Sequence, residues 1–153
     1  MANPVLALWT RAGGWPFGRW LFSRLVAWRA PYFRTVTPRI QVLEPGRCVV
    51  SMRKRWAVQN HIRTVHVIAI CNLLEIAMGA CAEASVPAHL RWIPKGMSVD
   101  YVAKATTDIT ATAEIDPEAW QPGDLVVQVR AEDTAGTVVV RGEIRLWISE
   151  KPR

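Results

Sequence analysis

Glu75 has the type and setting suited to proton-transfer chemistry, and two further polar side chains, Asn60 and His66, lie close before it in sequence. Glu75 is the one formally charged residue in the apolar run from Val65 to Gly79, and no Lys or Arg falls between Thr64 and Leu90 to neutralise it. A carboxylate enclosed by Ile, Leu and Met is expensive to ionise. That is the tuning a general base or acid needs near neutral pH. The same residue could instead satisfy a backbone group or pair with a distant Arg, and on this feature alone the two readings stand level. Asn60 and His66 precede Glu75 by fifteen and nine residues, just ahead of and at the start of the helix that carries it.

That helix is expected over residues 64–84, long, apolar and buried by its own protein on nearly all sides. Its length approaches a membrane span, but His66, Asn72 and Glu75 argue against insertion. Residues 35–56 predict two strands around the turn Glu44-Pro45-Gly46-Arg47. Residues 97–149 alternate with period two. Ile109, Ala111, Ala113 and Ile115 share one face, as do Val127, Val129 and Ala131, and then Val138, Val140, Ile144, Leu146 and Ile148. Asp116-Pro117, Gln121-Pro122-Gly123-Asp124 and Asp133-Thr134-Ala135-Gly136 are expected as hairpin turns. The result is an α+β chain in which an antiparallel sheet wraps one long helix. A single domain is expected over 1–153, its core at 35–149.

Residues 4–29 are aromatic and studded with Arg, and Gly13-Gly14 and Pro16 should split them into two short helices. Trp9, Trp15, Phe17, Trp20, Phe22 and Trp28 alternate with Arg11, Arg19, Arg24 and Arg29. Such a segment resembles an interfacial membrane helix. It equally resembles an added helix whose rings pack over the sheet while Arg stems cover apolar surface. Packing is the expectation here, because aromatic stripes at helical spacing ordinarily face a core.

Charge is unevenly spread. Residues 1–63 hold eleven Lys or Arg and one acid, Glu44, a net of +10; residues 64–153 hold eight and twelve, a net of −4. A basic half suits a phosphorylated ligand or an anionic surface, whereas nucleic acid is not expected, since no nucleic-acid motif accompanies the charge. Cys48, Cys71 and Cys81 form no CxxC pair, and Cys71 and Cys81 should lie about 15 Å apart on one helix, beyond disulfide reach. With no convincing signal peptide, this pattern predicts a cytoplasmic protein. His61, His66, His89 and Glu75 lack zinc-ligand spacing, so no metal is expected.

The frame Asn60-His61-Ile62-Arg63-Thr64-Val65-His66-Val67-Ile68, followed by Glu75, resembles the hotdog-fold thioesterase superfamily, especially its phenylacetic-acid-degradation type. Met97–Ala105, Asp108–Glu114 and Glu132–Val139 resemble the later strands and hairpins of the same family. The resemblance covers residues 35–149. It implies a hotdog fold, hydrolysis of acyl thioesters such as acyl-CoA with no further cofactor, and a homodimer or dimer of dimers with sites between subunits. Glu75 would be the general base or nucleophile and Asn60 would position the carbonyl or the water. His66 would shape the loop or bond the thioester, and the backbone amides of Val67 and Ile68 would hold the oxyanion. In the family two Gly stand where Val67 and Ile68 stand here.

Arg53, Arg55 and Arg63 are candidates for CoA phosphate, as is Lys104, one position beyond the family's usual cation. A second frame pairs His61 with Glu75 at the spacing of hydroxyacyl-thioester dehydratases. A non-catalytic acyl- or lipid-binding module is the remaining alternative.

Overall fold

The computed structural model describes residues 3–152. Asn3 starts the first helix, α1 (Pro4–Gly13): its side-chain oxygen accepts from the amides of Val5 and Leu6 at 2.9 and 3.2 Å, with Pro4 at the first helical position. A tight turn leads into α2 (Gly18–Arg29), and a 3-10 turn spans Pro31–Val36. Six strands follow: β1 (Arg39–Glu44), β2 (Arg47–Met52), β3 (Leu90–Tyr101), β4 (Ile109–Glu114), β5 (Gly123–Glu132) and β6 (Val138–Glu150). The long helix α3 (Val67–Ser85) lies between β2 and β3 in sequence.

All neighbouring strands pair antiparallel, in the order β1-β2-β4-β5-β6-β3. The inward residues of the alternating strands, among them Ile109, Ala111, Val127, Ala131, Ile144 and Leu146, are buried against α3 residues Leu73, Leu74, Ala77 and Cys81. This is the sheet wrapped around a helix that the alternation predicts, with two extra helices at the N-terminus.

Three expectations change. The third strand starts at Leu90, seven residues before the alternation becomes legible at Met97, because its register shifts between Pro94 and Gly96. An extra residue, Lys95, breaks the period there. The strand also ends at Tyr101 instead of running to Ala105. The turn signals at Asp116-Pro117 and Gln121–Asp124 are the two ends of one connection between β4 and β5, not two hairpins.

Helix α3 is not enclosed all round. Ile68, Glu75 and Glu83 are exposed, while Val67, Ala69, Cys71, Gly79 and Ala80 are half-buried. It packs on β1, β2, β4, β5 and, less extensively, β6, while β3 forms the sheet's edge and reaches the helix through Trp92, whose Nε1 donates to Glu83 Oε1 at 3.1 Å. The opposite edge is covered: on β1 the amide of Ile40 donates to Ser23 Oγ of α2 at 2.9 Å, a buried contact. Where β6 meets β3, Gly142 permits a close approach. A Cβ there would collide with Ser98 O and lie 2.7 Å from Val99 Cα.

Candidate active site

The segment between β2 and α3 is built around Asn60. Its Oδ1 accepts from the amides of Ile62 and Thr64, both at 3.1 Å, and its Nδ2 donates to Thr64 Oγ1 at 2.7 Å. One Nδ2 hydrogen remains uncommitted. The backbone closes the same loop: the amide of Asn60 donates to Thr64 O and that of Arg63 to Asn60 O. Two further bonds fix the loop to the body, from Val65 N to Ala105 O and from His66 N to Val58 O.

His66 is the N-cap of α3, and its Nδ1 accepts from the amide of Ile68 at 3.1 Å. With Nδ1 an acceptor, the ring proton sits on Nε2, free to donate outward. The Ile68 amide is thereby occupied, so the helix N-terminus offers the amide of Val67, for which the described residues supply no acceptor. A positive dipole end and an open N–H suit a developing oxyanion.

Glu75 lies on the exposed side of α3, which corrects the expectation of a carboxylate buried among Ile, Leu and Met. Those neighbours point inward: Leu73, Leu74, Ile76 and Met78 are buried while Glu75 faces out. Among the described residues it has no ion-pair partner, so it is not a structural half of an Arg pair. Along the helix axis it stands about 12 Å from Val67. Asn72, one turn nearer the N-terminus, is buried and donates to Thr35 Oγ1 at 3.0 Å, binding the 3-10 turn to α3. Its Oδ1 is buried without a hydrogen-bond partner among the described residues. His61 is exposed at the tip of the Asn60 loop.

Three recesses adjoin these residues. A groove of about 340 Å³ at the α3 N-terminus is lined by Gln59, His66, Ile68, Asn72 and Thr35. Across the 3-10 turn, a cleft of about 570 Å³ contains Arg24, Arg34, Arg39, Arg53 and Arg55. None of these five is ion-paired among the described residues. The structure thus brings Arg53 and Arg55 together, whereas Arg63 and Lys104 are exposed outside that cleft. Spacing along the chain does not mark Arg24, Arg34 and Arg39 as phosphate candidates, because only folding gathers them from α2, the 3-10 turn and β1. A third, apolar cavity of about 410 Å³ lies between α1, α2 and α3, against Leu25, Phe33, Ile76, Gly79, Ala80 and Trp92. Among the described residues no His, Cys, Asp and Glu cluster able to hold a metal ion occurs.

This architecture is the hotdog fold, and it is shared with solved proteins named as thioesterases. Residues 18–148 match the family described as domain of unknown function (DUF4442), and the chain belongs to that family. The structural-genomics protein APC5556 is 40% identical over 96% of this chain and 98% of its own, with a TM-score of 0.83. A probable thioesterase from Pseudomonas aeruginosa is 24% identical, covers 84% of this chain and 93% of its own, and has a TM-score of 0.75. A thioesterase from Haemophilus influenzae shares the fold at 9% identity, with 78% and 82% of the chains covered and a TM-score of 0.70. No curated protein matches the sequence.

Proposed function

We propose that the protein hydrolyses acyl thioesters, with acyl-CoA as substrate, at a site completed by a second copy of the chain. In this reading Glu75 of one copy serves the α3 N-terminus, Asn60 and His66 of the other. The observation that carries it is a separation. Glu75 and Val67 are about 12 Å apart on one rigid helix, yet a general base must come within about 3 Å of the proton it takes. One chain cannot bring its carboxylate to a carbonyl held at its own helix start. The exposed Glu75, the exposed Ile68 and the open edge of β3 are surfaces that a second copy would cover.

The chemistry follows from the groups. The Glu75 carboxylate takes a proton from water, and the water oxygen bonds to the thioester carbon. The carbonyl becomes an oxyanion beside the Val67 amide, the free Asn60 N–H and His66 Nε2. Collapse breaks the carbon–sulfur bond, and the proton held by Glu75 passes to the departing thiolate, giving a carboxylic acid and CoA thiol. The apolar cavity suits an acyl chain, being of ligand-pocket size. The Arg cleft suits the phosphates of CoA. Thioesterases among proteins of the same fold support hydrolysis, and three free thiols accord with the cytoplasm.

The decisive experiment mixes two variants. Glu75→Gln and Asn60→Ala should each be nearly inactive on a panel of acyl-CoAs assayed for free thiol. After subunit exchange, half the dimers are mixed and each has one intact site, so about a quarter of the wild-type rate returns. No return would overturn the shared site, and no thiol release by the wild type at any chain length would overturn hydrolysis.

A further inference from the structure

The outward face of the N-terminal helices is apolar where a soluble surface is ordinarily polar. Within residues 8–32, Leu8, Trp15, Phe17, Trp20, Leu21, Leu25, Trp28 and Tyr32 are all exposed, Phe17 at 84%, Trp15 at 77% and Trp28 at 70%. Only Trp9 and Phe22 of the six Trp and Phe residues noted in this segment pack inward, edge to face at 5.3 Å. Packing over the core, the expectation from the sequence, therefore accounts for two of the six. On α2 the inward arc is Phe22, Ser23, Val26 and Ala27. The outward arc carries Trp20, Leu21, Leu25 and Trp28, with Arg24 and Arg29 among them.

We infer that this face docks on an anionic lipid bilayer. Charge and residue type point the same way: the chain holds six Arg and no acid before Glu44. Arg beside exposed Trp and Tyr is the composition of a helix lying in the headgroup region, with rings at the boundary and cations on lipid phosphates. The patch is also held rigidly. Phe17 adopts the left-handed region at φ 63°, and Gly18 permits a close approach to α1, where an added Cβ would collide with the carbonyl of Ala12. Trp15 and Phe17 are thus presented at the tip of a fixed turn. A second copy is the poorer occupant, since pairing this face with itself would oppose like Arg clusters. Leu8 and Leu25 belong both to this face and to the wall of the 410 Å³ apolar cavity. The cavity therefore opens where acyl chains would be.

The test is flotation of the full chain with phosphatidylcholine vesicles, with and without phosphatidylglycerol, alongside its oligomeric state. Binding should appear with the anionic vesicles and weaken as salt rises. Trp15→Ser with Phe17→Ser should reduce it at least about tenfold, the scale for withdrawing a large apolar side chain from an apolar phase, without lowering the melting temperature. Arg11→Glu should reduce it at low salt. Absence of binding to any vesicle would overturn the proposal, as would binding that the Trp15/Phe17 variant retains. So would a higher oligomer in the wild type that this variant dissolves, because the face would then be a protein interface. None of these readouts depends on thioester hydrolysis.

Discussion

Nδ1 of His66 accepts the amide hydrogen of Ile68 at 3.1 Å, so one imidazole both caps α3 and leaves the Val67 amide as the open donor beside it. Capping and chemistry can be separated there. His66→Ala removes the cap and should cost about 1 kcal/mol, whereas His66→Asn restores a good cap and most of that stability. If Nε2 bonds the thioester, both variants lose at least about tenfold in kcat/KM. Thermal melts read beside kinetics decide it, and a fully active His66→Asn would confine His66 to capping.

Glu75 is exposed and has no ion-pair partner among the described residues, so its loss should leave folding alone. Glu75→Gln should keep stability within about 0.5 kcal/mol while turnover drops at least about a hundredfold. Retained specific activity would remove Glu75 from the mechanism.

The Arg cleft divides the four phosphate candidates into two pairs. Arg53→Ala and Arg55→Ala should raise KM for acyl-CoA and flatten its salt dependence, whereas Arg63→Ala and Lys104→Ala should change neither. Arg55 also donates to Thr37 Oγ1 at 3.1 Å and to Thr35 O, so its removal should loosen the 3-10 turn as well. Arg53 is the cleaner probe. Equal effects from all four would point to a diffuse field in place of a built site.

Burial, and to a lesser degree the nearby Cys81, pushes the Cys48 thiol far up, while burial pushes Cys81 up to about 11. Both groups are raised in the folded chain, so the stability they contribute is complete below the unfolded value near 9 and is lost as pH rises. The unfolding free energy should therefore fall between pH 9 and 11, by up to about 1.4 kcal/mol per pH unit for each thiol, and denaturation midpoints should fall with it. In Cys48→Ala with Cys81→Ala the alkaline fall should shrink. A midpoint that declines equally steeply in that double variant would assign the loss to other groups.

Gly142→Ala should lower stability by about 1–3 kcal/mol, because the new methyl meets the Ser98 carbonyl and forces β3 from β6. Calorimetry of the variant, with Gly13→Ala as control, where φ is ordinary and an added Cβ meets only the Arg19 side chain at 3.7 Å, tests whether the close approach is the cause.

Periodicity carried most of the fold. The alternation at Ile109–Ile115, Val127–Ala131 and Ile144–Ile148 marks strands that are half-buried in the structure, and the apolar run after His66 marks the helix. It failed at β3, where Pro94 and the extra Lys95 break the repeat. The exposure of Glu75 was not legible either. An apolar neighbourhood in sequence says nothing about which side of a helix the sheet leaves open, and here the buried positions flank Glu75 without enclosing it. The cap at His66 was visible only as a position, since the bond from Ile68 depends on a ring orientation that spacing does not encode. The N-terminal aromatic residues misled in the opposite direction: helical spacing is the same whether the rings face a core or solvent.

The two edges of the sheet set a limit on stoichiometry. Helix α2 packs against β1 and takes the Ile40 amide onto Ser23, whereas β3 at the other edge pairs only with β6 among the described residues and is interrupted midway by Pro94 and the Lys95 bulge. A strand edge able to accept any neighbour is a template for endless growth. Two chains joined along β3 would consume that edge of both and leave outermost the two β1 strands that α2 packs against, which disfavours further growth through the sheet.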